Sequence, residues 1–117
     1  MNNRTQKDTK RETNIVNTEL KECSRDPMTG FYRTGYCTTG PQDRGTHTVC
    51  AIMNKEFLDY TKSKGNNLYS VVKPGDRWCL CEYRWYESYA HNVAPDVVYE
   101  ATNKKTNINI TKSIFKK

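Results

Sequence analysis

Apolar side chains gather in four short stretches, around residues 31–37, 49–58, 78–89 and 97–101, with polar or glycine-rich chain between them. Residues 46–53 are rich in β-branched side chains and predict a strand. Asn54 can cap a following helix whose apolar stripe is Met53, Phe57, Leu58 and Thr61, ended by Gly65. The run KPGD at 73–76 is a turn signature, and 77–81 reads as a short buried strand. A second helix is expected over 82–91, with Cys81, Trp85, Ser88 and Tyr89 on one face and Asn92 and Pro95 closing it. Residues 96–101 predict a last strand, and the lysine-rich end a short strand or a frayed helix. Before residue 46 turn chemistry dominates; glycines at 30, 35, 40 and 45 are evenly spaced, but their flanks do not repeat.

The order strand, helix, strand, helix, strand permits right-handed crossovers and parallel pairing. The expected class is α+β, a single domain with a small mixed sheet, two main helices and an irregular glycine-rich first third packed across one face or edge. The alternative is α/β. Residues 1–13 read as a disordered polar tail, 14–103 as the globular domain, and 104–117 as a basic C-terminal segment.

The chain has 117 residues and a formal charge of +6. Mapping the charge changes its meaning. The first thirteen residues carry four basic and two acidic groups, and residues 104–117 carry five lysines and no acid. Residues 14–103 hold ten basic and eleven acidic groups, so the body is close to neutral. A nucleic-acid partner is therefore disfavoured, except for weak association through the tails. No segment approaches the roughly 20 apolar residues that span a bilayer, and the first residues lack the apolar stretch of a secretory signal. The expectation is a cytoplasmic protein with no membrane partner, in a reducing compartment where its five cysteines are free thiols or metal ligands and not a disulfide framework.

Three motifs are distinctive: DPMTGFYR at 26–33, TGPQDRGTHTVC at 39–50, and KPGDRWCLC at 73–81 followed by Arg84 and Trp85. Together they resemble the mostly bacterial family known as domain of unknown function 2237, over about residues 14–102. The resemblance implies no activity. Two departures stand out: residues 67–73 are shorter than the resemblance leads one to expect, and Asn103 stands where a histidine is expected.

Three chemistries compete for the remaining polar groups. Cys37, His47, Cys50, Cys79 and Cys81 are zinc-ligand types, but no Cys-x-x-Cys pair exists. Strand period two would put Cys79 and Cys81 on one face, roughly 7 Å apart, while His47 and Cys50 would fall on opposite faces. A thiol nucleophile or redox centre is the second reading, with Cys81 best placed because a helix N-terminus favours an anion. Its plain alternative is that cysteines amid Trp78, Leu80 and Trp85 act as small core hydrophobes. The third is an acid–base or ligand pocket on the loop 40–47, where Asp43 could orient His47 and the fold could bring Cys50, Cys79 or Cys81 close. Arg33, Arg77 and Arg84 could bind an anion there; equally, Asp43 could simply shape a turn and His47 bond within the sheet. The sequence thus predicts a polar, thiol-lined pocket for a small anionic molecule between the 43–47 loop and the 77–81 strand. No cofactor is expected. The alternative is a zinc-binding structural or interaction module.

Overall fold

The computed structural model describes residues 12–117. Its elements run β1 (Val49–Ile52), α1 (Lys55–Ser63), a 3-10 turn (Leu68–Ser70), β2 (Arg77–Leu80), α2 (Glu82–Ala90), β3 (Asp96–Val97), a second 3-10 turn (Tyr99–Ala101) and α3 (Ile108–Lys116). The class is α+β, with three helices and one three-stranded sheet in the order β2-β1-β3 among the described residues.

Both strand pairings are antiparallel, which corrects the expected mixed sheet and parallel pairing. The reason lies in where the chain returns after α1. The Met53 N–H donates to the Asp76 carbonyl, and the Gly75 N–H donates to the Met53 carbonyl. The turn at 73–76 is thereby clamped to the end of β1, and β2 must run back alongside it.

Local signals placed α1 and α2. The Asn54 side chain accepts the Phe57 N–H at 2.8 Å, satisfying one of the free donors of the first turn of α1. At the other end Gly65 takes φ +90, a conformation that costs glycine little. In α2, Trp85 is fully buried and its indole N–H donates to the Pro95 carbonyl at 3.1 Å, which fixes the exit of the chain. The last predicted strand shrinks to two residues, because the Thr102 hydroxyl donates to the Val98 carbonyl and accepts the Cys50 N–H, curling the chain into a 3-10 turn. The C-terminal segment, expected as a short strand or frayed helix, forms α3 and adds Ile110 and Ile114 to the core.

Strand alternation sorts the sheet's two faces. Val49, Ala51, Trp78 and Leu80 face the helices and join Phe57, Leu58, Trp85 and Ile114 in the larger core. Cys50 and Cys79 point the other way and meet Cys23 and Cys37 from the irregular first third, which does pack across that face. Of the expected polar tail, residues 1–11 lie outside the described residues. Glu12 and Thr13 are part of the body, since their carbonyls accept the Leu20 and Lys104 N–H groups. Among the described residues, no helix is long and apolar enough to cross a membrane.

Candidate functional site

The loop before β1 is organised around one carboxylate. The Asp43 side chain is fully buried and accepts three hydrogen bonds: from the Thr39 hydroxyl at 2.9 Å, the His47 N–H at 2.9 Å and His47 Nδ1 at 2.6 Å. Burial alone would raise its carboxyl, but the two bonds from His47 and the one from Thr39 outweigh burial and hold it below the ordinary carboxylate value. Since a carboxylate only accepts, Nδ1 carries the proton of this bond, and Nε2 is the ring nitrogen not engaged by Asp43. The imidazole is about one-third exposed and stacks on Phe31 at 6.1 Å between centroids.

Gly45 is needed here for room. A Cβ at this position would lie 2.6 Å from Cε1 of His47, so any larger residue displaces the ring. Thr46 has φ +50, a left-handed conformation that β-branched residues rarely adopt. It turns the Thr46 carbonyl toward the Glu82 N–H, 3.0 Å away. The residue before His47 is thus bonded to the residue after Cys81.

That bond brings the two motifs together. A cavity of about 230 Å³ is lined by His47, Cys81, Arg84, Trp78 and Cys79, among others. A second hollow of about 420 Å³ continues past Phe31 and Arg33 and shares His47, Trp78 and Cys79. The short 67–73 segment forms the facing wall through Asn67, Leu68, Ser70 and Val71. Arg33, also left-handed at φ +56, lies over the Trp78 ring at 5.5 Å, and its Nη1 donates to the Gly30 carbonyl. Arg84 is loosely held, with Nη1 3.4 Å from Glu87 and 3.5 Å from the Lys64 carbonyl. Arg77 is exposed at the start of β2 and lines neither hollow.

The family model described as "Uncharacterized protein conserved in bacteria (DUF2237)" matches residues 13–117. The chain belongs to this family. No curated protein matches the chain.

The family description carries no chemistry, so the site rests on geometry. Asp43, His47, Cys81, Arg33 and Arg84 come together around the cleft; Arg77 does not. Cys79 touches the cleft but is joined to Cys37, while Cys50 is joined to Cys23. This pairing departs from the expectation of free thiols, and Cys81 alone is unpaired. The ligand set read from the sequence also divides. His47 and Cys81 belong to the cleft, whereas Cys23, Cys37 and Cys50 have sulfurs within 4.8 Å of one another and could hold a metal ion. Sequence reasoning passed over Cys23 because its segment is all turns, and nothing in cysteine spacing says which residues meet. It also missed Phe31, Gly45 and Thr46. The pairing of a glycine with a histidine two residues on was the one available hint of close approach.

Asn103, at the position where the resemblance implies a histidine, is buried away from the cleft. Its side chain donates to the Cys37 carbonyl and to Glu12, and accepts the Lys105 N–H.

Proposed function

We propose that the cleft takes up a small anionic molecule and that Cys81 acts on it as a nucleophile, with His47 as proton acceptor and Asp43 holding His47. One observation carries this reading: the unpaired cysteine and a histidine tied to a buried carboxylate line the same cavity. The Cys81 S–H proton passes to His47 Nε2, and the sulfur attacks an electrophilic carbon of the ligand, displacing the group bound there, which leaves with the bonding electron pair. Asp43 then faces an imidazolium through Nδ1–H and stabilises it. Cys81 also stands at the N-terminus of α2, where unpaired N–H groups favour an anion. Arg33 and Arg84 supply the positive charge that selects an anionic ligand over a neutral one.

The test compares alkylation of Cys81 by iodoacetate and by iodoacetamide, followed by peptide mass spectrometry. The anionic reagent is expected to gain at least about tenfold over the neutral one, relative to their ratio on a free cysteine peptide. Arg84→Gln should shrink that preference. His47→Ala, and Gly45→Ala by pushing the ring aside, should slow both reagents by about tenfold or more. A Cys81 that reacts like the free peptide, with no charge preference and no dependence on His47, overturns the reading.

A further inference from the structure

The second sulfur-rich place in the molecule is the face of the sheet opposite the helices. Cys50 and Cys79 are direct cross-strand partners in β1 and β2. Their main-chain N–H groups point away from each other, Cys50 to the Thr102 hydroxyl at 3.1 Å and Cys79 to the Thr29 hydroxyl at 3.0 Å. They therefore form the pair type in which the strands approach most closely, with Cα atoms about 4.5 Å apart. Cys23 and Cys37 are laid over them by the first third, whose two arms are joined where the Cys23 N–H donates to the Gly35 carbonyl. All four cysteines are buried, and their apolar neighbours in the cluster are Ala101 and half-buried Val98.

Two disulfides do not need to sit side by side to staple a chain. A metal ion needs its donors to converge, and three of these four do. Cys23, Cys37 and Cys50 have sulfurs within 4.8 Å of one another, and the fourth, Cys79, is bonded to Cys37. A tetrahedral zinc with Zn–S near 2.3 Å holds its sulfurs about 3.8 Å apart. Reaching that spacing requires both disulfides to open and the Cys79 side chain to turn from Cys37 toward the other two sulfurs.

We infer that the reduced protein binds one zinc ion through Cys23, Cys37, Cys50 and Cys79. Reduction by a phosphine or a thiol gives each disulfide two electrons and two protons. Binding then exchanges four S–H protons, released to solvent, for one zinc(II) held by four thiolates. A set of four sulfurs selects zinc or another thiophilic ion over calcium or magnesium. His47 stays with Asp43 and Cys81 stays in the cleft, so the ligand set differs from the one the sequence suggested by gaining Cys23 and losing those two. The inference is independent of the cleft chemistry.

The experiment uses the full chain reduced anaerobically with a phosphine and titrated with cobalt(II), then zinc. The expected result is a tetrahedral tetrathiolate cobalt spectrum that saturates at one equivalent and is erased by zinc. With zinc bound, alkylation of the four cysteines should slow about tenfold or more while Cys81 stays reactive. Cys81→Ser should titrate like the parent, which separates this site from the cleft, and Cys23→Ser should lose the tetrathiolate spectrum. If the reduced chain unfolds, refolding on addition of one equivalent of zinc, read by circular dichroism, gives the same answer. A reduced chain that neither develops the cobalt spectrum nor refolds with zinc, or whose five thiols alkylate alike with and without it, overturns the inference.

Discussion

Asp43 concentrates the chemistry of the loop in one side chain. Its carboxyl is held below the ordinary value of 3.8 by hydrogen bonds from His47 and Thr39 that exist only in the folded state. A group whose value falls on folding stabilises the protein in full above its unfolded value, and that contribution is lost as the pH drops through the folded value. Asp43→Asn should therefore cost about 2 kcal/mol near neutrality, and the gap from the parent should close below about pH 4. Urea titrations at a series of pH values check this. A gap that stays constant down to acid pH would mean that the carboxylate charge is not what the loop uses.

At the scale of elements, the start of α2 is the anomaly. Asn54 and Asn107 both bond free N–H groups of the first turns of α1 and α3, whereas Cys81 occupies the same position of α2 and makes no such bond. Serine is among the favoured residues at a helix start, so Cys81→Ser is expected to raise stability by roughly 0.5–1 kcal/mol. The same change would remove the thiol from the cleft. Thermal unfolding of the two proteins measures the first effect. A clear loss of stability would show instead that Cys81 is held there as packing.

For the whole molecule, the C-terminal helix belongs to the body. Asn14 bonds the Glu100 carbonyl from the other end of the chain, Asn107 donates its N–H to Glu82, and Ile114 reaches into the core between the sheet and α2. Ile114 is 1% exposed. Ile114→Ala should cost about 2–4 kcal/mol, a fall in the urea midpoint with little change in slope. A cost near zero would place α3 outside the cooperative unit.

By itself the sequence determined the α+β class, the cores of β1 and β2, and helices α1 and α2. These rest on local physics: alternation of β-branched residues, an asparagine cap and a proline–glycine turn. Tertiary structure decided the rest. The antiparallel course of β2 depends on a turn clamped to Met53, a contact no period encodes. Helix α3 is visible only once Ile110 and Ile114 have a core to enter, since its other positions are mostly polar. Strand period placed Cys79 and Cys81 together, but the chain leaves the sheet after Leu80. One cysteine therefore joins the buried sulfur cluster and the other turns into the cleft. Which cysteines meet was set by the packing of the first third on the sheet, because four cysteines allow three pairings and the sequence ranks none of them.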